Sequence, residues 1–226
     1  MVAANRIRPA DLIRGPRTDS GLMNTRNGGS ASTIERYLAE LFALQTEQLS
    51  HDERYHKDIC LLPMHQRLNH MALHFSKYTG QLAECLGSND RSVLEKTVID
   101  IFVISLASAN WLNLRLSDWV TLPDPSTPVL LVRLTNSAPQ RVSPNWLDPT
   151  WLFRSVAMQA GRMAKACESL DHLEAYPYRE TLSQSVAQLC AIALTAAVFL
   201  DVDLPTRYRL RLREVEKRSI FLEAEA

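Results

Sequence analysis

Two histidines of one predicted helix are spaced so that both side chains can reach the same metal ion. His70 and His74 lie four residues apart, and residues at that spacing share one face of an α-helix. Together with Asp100 from a later helix, they have the composition of a site with two histidines and one carboxylate, which binds iron, manganese or zinc. The alternative is that the two imidazoles form hydrogen bonds within a helical bundle or lie at its surface.

The C-terminal part of the chain carries a second group of charged residues. The segment "TRYRLRLREVEKRSIFLE", which follows Pro205, is predicted to form a basic helix. Its cations are Arg207, Arg209, Arg211, Arg213, Lys217 and Arg218. Helical spacing puts three of them, Arg207, Arg211 and Arg218, near one stripe. The alternative is a solvated face on which Glu214 and Glu216 balance the positive charge.

Apolar residues recur at helical spacing along most of the chain, and this pattern predicts an all-α fold. We expect order to begin at Ser32, which forms a capping-box pattern with Glu35, in a first helix over 32–49. Further helices are predicted over 63–86, 92–114, 149–170 and 181–200, and Ser92 forms another capping-box pattern with Glu95 at the start of the second of these. Two of these, 92–114 and 181–200, are apolar on almost every side, which is typical of helices at the centre of a bundle or at an interface. We therefore expect these two helices to pack against each other.

Composition divides the chain into two halves. Residues 1–31 are rich in Arg, Gly, Ser, Asn and Pro and are predicted to be a disordered tail. Prolines rule out a continuous helix over 123–147, and the segment "VLLVRL" at 129–134 is either a short strand or an extended segment. We expect a first helical half at 32–122 and a second at 148–226, joined by this Pro-rich linker.

The two halves resemble each other. Gly80 aligns with Gly161 in the middle of a helix, and "LNL" at 112–114 aligns with "LDV" at 200–202. A glycine inside a helix costs about 1 kcal/mol relative to alanine. Two such glycines at equivalent places predict close contact between helices there.

Three motifs resemble those of the all-α nucleoside triphosphate pyrophosphatases, the MazG-like group that includes dimeric dUTPases. "YTGQLAE" at 78–84 is similar to the family's E-x-G-E-L-A-E helix. "KTVIDIFVISLASAN" at 96–110 is similar to its later E-E-x-A-D-V-L-x-x-L-x-x-L-A-N helix, and "FLDVDLPTRYRLRLREVEKR" at 199–218 is similar to its basic tail. The family builds four-helix units that pair, sometimes as a tandem duplication. The resemblance therefore implies a duplicated MazG-like bundle.

The family hydrolyses nucleotides between the α and β phosphates, using Mg²⁺ held mainly by carboxylates. Carried over to this chain, the family's four acidic positions hold Tyr78, Gln81, Thr97 and Asp100. The matching positions of the second half hold Gln159, Arg162, Ser185 and Gln188. Because one carboxylate binds a triphosphate complex of Mg²⁺ poorly, we expect negligible hydrolysis.

The resemblance also indicates where a nucleotide would bind, with basic residues of the tail meeting its phosphates. The predicted nucleotide-binding residues are Lys77, Tyr78, Gln81, Asn110, Arg211 and Arg218. If the protein is an active enzyme, Asp100 and Glu84 are the candidate catalytic residues and Mg²⁺ is the cofactor. We expect Asp100 in a polar pocket facing His74, Tyr78 or Gln81, whose neutral groups would hydrogen-bond the carboxylate.

Three functions stay open at this point. The chain is a degenerate MazG-like module that binds nucleotides or a protein, an active pyrophosphohydrolase with rearranged ligands, or a structural helical subunit of a larger assembly. Its predicted partners are a nucleotide, another protein, or a second copy held through the apolar helices. A nucleotide panel tested with and without metal distinguishes these functions, because a ligand that binds only the folded state stabilises it.

Charge and cysteine content narrow the class of protein. The chain of 226 residues has 25 basic and 25 acidic residues, which argues against general nucleic-acid binding and against a polybasic membrane anchor. The apolar run at 101–112 is too short to span a bilayer. The four cysteines lack the close spacing of a zinc site and are predicted to be reduced thiols. These features predict a cytoplasmic protein without membrane contact.

Overall fold

The protein is an all-α bundle, as the periodicity predicts. The computed structural model describes residues 28–88, 90–119 and 149–218, and within these ranges it contains eight helices and no strand. The helices are α1 (Gly28–Tyr55), α2 (Lys57–Cys60), α3 (Met64–Ser88), α4 (Arg91–Trp111), α5 (Leu116–Trp119), α6 (Pro149–Asp171), α7 (Tyr178–Phe199) and α8 (Leu204–Glu216). The Pro-rich linker, including 129–134, and the predicted tail up to residue 27 lie outside the described ranges.

Two helical hairpins form the centre of the bundle. One consists of α3 and α4, the other of α6 and α7, and they pack so that α3 contacts α6 and α4 contacts α7. The predicted packing between the two apolar helices is thus confirmed. Phe102 and Leu106 of α4 and Val186 of α7 are fully buried. Burial of such a side chain contributes about 1.5–3 kcal/mol. Two further helices, α1 and α8, also pack against α4.

Helix α4 begins with a cap that differs from the predicted one. The Asp90 side chain accepts hydrogen bonds from the backbone amides of Ser92 (2.9 Å) and Val93 (3.3 Å). A carboxylate at this position satisfies amides that have no partner within the helix. The predicted capping box of Ser92 and Glu95 is therefore wrong, and Glu95 instead pairs with Arg91 at 2.7 Å.

The same turn ends both central helices. Asn113 after α4 and Asp201 after α7 have φ angles of 51° and 55°, in the left-handed region. The amide of Leu114 donates to the carbonyl of Ala109 at 2.8 Å, and the corresponding bond after α7 measures 2.9 Å. This is the Schellman arrangement, which satisfies carbonyls left free at a helix end. Each turn leads directly into a further helix, and α5 contacts α7 just as α8 contacts α4.

The two mid-helix glycines do not mark close helix contacts. Gly80 and Gly161 are both exposed. A Cβ atom built on either residue would meet no other atom within 4 Å. The prediction that these glycines allow close packing is therefore wrong, because the apolar faces of α3 and α6 that meet in the bundle lie on other sides of the helices.

One helix is apolar enough to resemble a membrane span. By length and composition alone, α7 would be able to cross a bilayer, although most of it is buried inside the bundle. Its neighbours there are α4 and α6. A helix at the core of a bundle and a helix in a membrane are both apolar on all sides. The expected absence of membrane contact stays a prediction.

The four cysteines are unpaired thiols. Three of them, Cys85, Cys167 and Cys190, are buried, and Cys60 is half-buried. Burial raises the pKa of the Cys190 thiol to about 12. A thiol with so high a pKa stays protonated and unreactive near neutral pH. Cys190 therefore contributes to the packing of the core.

Candidate functional site

A cavity of about 170 Å³ opens beside the first hairpin. Helices α1, α2, α3, α4 and α8 contribute to its walls. Its polar lining consists of Gln48, His51, Asp52, His56, His70, His74, Lys77, Tyr78, Asp100 and Arg211. Residues 70, 74 and 78 follow each other at intervals of four and so form one stripe along α3. The next stripe, which includes Met71 and Phe75, is fully buried in the core.

Asp100 and Arg211 form a bidentate ion pair in this cavity. Nε of Arg211 lies 2.6 Å from Oδ1 of Asp100, and Nη2 lies 3.2 Å from Oδ2. The two side chains are only 12% and 16% exposed. The third guanidinium nitrogen, Nη1, donates to Glu214 at 2.9 Å. The charge of Asp100 is therefore compensated by a cation from α8, and not by the neutral groups predicted from the sequence.

His70, His74 and Lys77 form a short hydrogen-bonded chain. Nζ of Lys77 lies 3.3 Å from Nδ1 of His74, and the Nε2 atoms of His74 and His70 are 3.1 Å apart. An ammonium group can only donate, so Nδ1 of His74 is the acceptor. His74 is then neutral and carries its proton on Nε2, from which it donates to His70. Burial, followed by the charges of Lys77 and His70, accordingly lowers the pKa of His74 to about 4.

Lys77 lies over the ring of Tyr78, with 4.5 Å between Nζ and the ring centroid. The Tyr78 hydroxyl lies 3.4 Å from Nδ1 of His74. Burial, and then the negative charge of Asp100, raises the pKa of the phenol, so Tyr78 stays neutral. Burial also lowers the pKa of Lys77. In the described part of the chain, no carboxylate lies within ion-pair distance of Lys77, so its charge has no direct counterion there.

A second polar group in the cavity comes from residues beyond the predicted end of the first helix. The first helix was expected to extend to about Leu49, but α1 continues to Tyr55. His51 and Asp52 lie on this extra turn, and His56 follows it. The signal was present in the sequence, since Asp52 and His56 have the same spacing of four as His70 and His74.

Asn110 has a structural position outside the cavity lining. Its amide nitrogen donates to the backbone carbonyl of Gln45 at 2.9 Å, and its oxygen accepts from the Gln45 side chain at 3.0 Å. The same Gln45 side chain donates to the carbonyl of Leu114 and accepts from the amide of Leu116. Both polar atoms of the Asn110 side chain are thus used in hydrogen bonds that connect α4 to α1. A role for Asn110 in nucleotide binding stays a prediction.

Three other predicted residues also lie outside the lining of the cavity. Gln81 is half-buried and its side-chain oxygen lies 3.5 Å from the Thr97 hydroxyl, at the limit of a hydrogen bond. Glu84 and Arg218 are exposed. Six of the predicted site residues do line the cavity, namely His70, His74, Lys77, Tyr78, Asp100 and Arg211.

The chain matches no protein-family model, no curated protein and no solved structure. The MazG-like resemblance thus depends on the three sequence motifs. What the cavity can bind follows from its own residues.

These residues do not fit Mg²⁺. The positions at which the resemblance expects carboxylates offer a neutral phenol at Tyr78, an amide at Gln81 and a hydroxyl at Thr97. Mg²⁺ requires oxygen ligands in near-octahedral geometry and is bound through carboxylates. The acid that remains at these four positions, Asp100, has both oxygens bound to Arg211. A metal site of His70, His74 and Asp100 would likewise require Arg211 to leave, and it stays a prediction.

Proposed function

We propose that the protein is a degenerate MazG-like module that binds a nucleotide in this cavity and hydrolyses it little. The observation that carries the proposal is the charge arrangement at Lys77 and Asp100. Lys77 is a cation without a carboxylate partner among the described residues, and Asp100 is neutralised by Arg211. The cavity therefore offers a positive charge to a phosphate group, whereas the one acid at the four family positions is already held by Arg211.

The other walls of the cavity suit the rest of a nucleotide. Trp111 is half-buried, and Ile104 and Met71 add apolar surface. Aromatic side chains stack on nucleic-acid bases with about 1–3 kcal/mol per base. A phosphate near Lys77 and a base near Trp111 would thus each have a suitable neighbour.

The arrangement of the helices supports the relationship to the MazG-like group. The hairpins of α3 with α4 and of α6 with α7 pack as equivalent pairs. Both end in the same left-handed turn, at Asn113 and at Asp201. These turns fall at the positions that align in the two halves of the sequence. A tandem duplication of one helical unit explains both facts.

Thermal unfolding with a panel of NTPs and dNTPs tests binding. A ligand at 100 times its Kd stabilises the folded state by about 2.7 kcal/mol. We expect at least one nucleotide to raise the Tm of the wild-type protein, and Lys77→Met to remove the shift. Lys165→Met is the matched control, since Lys165 is an exposed lysine of α6 that pairs with Glu168 and Glu174.

An assay of released pyrophosphate with Mg²⁺ or Mn²⁺ tests hydrolysis. We expect negligible turnover of every nucleotide that binds. Turnover that Asp100→Asn abolishes would show instead an active enzyme with rearranged ligands. If no nucleotide shifts the Tm of the wild-type protein, the module does not bind nucleotides, and a structural role as a helical subunit takes its place.

A further inference from the structure

The imidazole of His51 is buried without a hydrogen-bond partner. Its side chain is 5% exposed, and neither ring nitrogen forms a hydrogen bond in the structure. The nearest carboxylate oxygens are Oδ1 of Asp52, 3.6 Å from Nδ1, and Oε1 of Glu216, 3.7 Å from Nε2. A buried polar group without a partner costs about 1–3 kcal/mol. Such a group in the wall of a cavity indicates a ligand that supplies the missing contact.

Two further ligand groups lie beside this imidazole. One side-chain ligand atom from each of His51, Asp52 and His56 lies within 4.8 Å of the others. Oδ1 of Asp52 accepts a hydrogen bond from Gln48 at 2.7 Å, whereas Oδ2 is buried and unpaired. Gln48 thus orients the carboxylate and leaves one oxygen free. All four residues line the cavity.

We propose that His51, Asp52 and His56 bind one divalent transition-metal ion of the zinc class. Two imidazoles and a carboxylate suit Zn²⁺, and imidazole is a poor ligand for Mg²⁺, which prefers oxygen. Ligands of Zn²⁺ bind at about 2.0–2.2 Å, so the three ligand atoms must move closer together than in the structure. His56 can make this movement, because it is half-buried and precedes the four-residue helix α2.

The site is distinct from the one predicted with His70, His74 and Asp100. In that set, the two imidazoles satisfy each other through their Nε2 atoms, and Arg211 holds the carboxylate. Three protein ligands also leave a coordination position open, as in catalytic zinc sites. That position would be open to the cavity that Lys77 lines. The inference does not depend on the proposed nucleotide binding, because its ligands are different residues.

Metal content tests the site directly. The full-length protein is stripped with EDTA, dialysed against Zn²⁺ or Co²⁺, and analysed for bound metal. We expect one ion per chain, and for Co²⁺ the visible absorption bands of a site with nitrogen ligands. His51→Phe and His56→Ala should each weaken binding by about 100-fold or more, since even residues that only support a ligand contribute 10–100-fold. Circular dichroism checks that each variant is folded.

Matched variants decide between the two sets of histidines. His65→Ala and His172→Ala remove exposed histidines outside this cavity and should leave metal binding unchanged. The double variant His70→Ala with His74→Ala should also keep its metal. If the folded His51→Phe and His56→Ala proteins bind the ion as tightly as the wild type, the assignment is wrong. Loss of the ion in the double variant would equally overturn it, as would a wild-type protein that retains no metal.

Discussion

The guanidinium of Arg211 holds both carboxylate oxygens of Asp100, although 111 residues separate them in the chain. The pair joins α8 to the central helix α4 on the wall of the cavity. Removing one partner of a buried pair leaves the other charge without compensation, which is more costly than the net contribution of the pair. The ion pair therefore helps to hold α8 against α4 and occupies both oxygens of Asp100.

The first prediction concerns the stability of this pair. We expect Asp100→Leu and Arg211→Leu each to lower the free energy of unfolding by about 3–5 kcal/mol. The double variant should lose clearly less free energy of unfolding than the two single variants together, because neither charge is then buried alone. Urea unfolding of the four proteins gives the coupling energy. Arg207→Leu removes an exposed pair with Glu95 and should cost less than about 1 kcal/mol. Additive losses would show that the two side chains do not interact.

The second prediction concerns the mid-helix glycines. Gly80→Ala and Gly161→Ala should each raise the free energy of unfolding by about 0.4–1 kcal/mol, because alanine restricts the unfolded chain and meets no neighbour in the folded one. Chemical denaturation measures this gain. A loss of stability in either variant would mean that the helix approaches another element there after all.

The third prediction concerns pH. Burial and the charge of Lys77 lower the pKa of His74 to about 4, against 6.5 for an unperturbed imidazole. The unfolded chain then binds more protons than the folded one between these values, so this contribution to stability is complete above pH 6.5 and is lost as pH falls towards 4. Urea unfolding between pH 4.5 and 7 should show the slope, and His74→Gln should reduce it. An identical slope in the variant would assign the effect to other groups.

The fourth prediction concerns the buried amide of Gln45. Its side chain is 5% exposed and hydrogen-bonds Asn110, Leu114 and Leu116 around the end of α4. Gln45→Leu keeps the size of the side chain but leaves buried backbone groups unpaired, at about 1–3 kcal/mol. We expect a corresponding fall in the free energy of unfolding. Unchanged stability would mean that water replaces the amide at these groups.

Periodicity predicts the helices of this protein well, because a buried stripe needs apolar residues every three to four positions. It predicts α4 and α7 as the central pair for the same reason, since helices apolar on all sides need cover from several neighbours. Helix ends are predicted less well. Asp90 replaces Ser92 as the cap of α4 because it lies one residue before the first helical residue, Arg91, and periodicity does not locate that residue.

The candidate site is predicted only in part. His70, His74 and Tyr78 share a cavity because regular helical spacing brings them to one face of α3. The contact of Asp100 with Arg211 has no such local signal, since it depends on where α8 returns to the bundle. His51 was missed because α1 extends one turn beyond its last apolar residue of regular spacing, and that turn is polar.

The position of α8 has a consequence for how the site is made during synthesis. A nascent chain that has emerged from the ribosome only as far as α7 already contains both hairpins, and with them Asp100. It still lacks the helix that carries Arg211 and closes this side of the cavity. Both hairpins are therefore synthesised before this wall of the cavity. A ligand that contacts Arg211 will distinguish chains translated through α8 from shorter products that contain both hairpins.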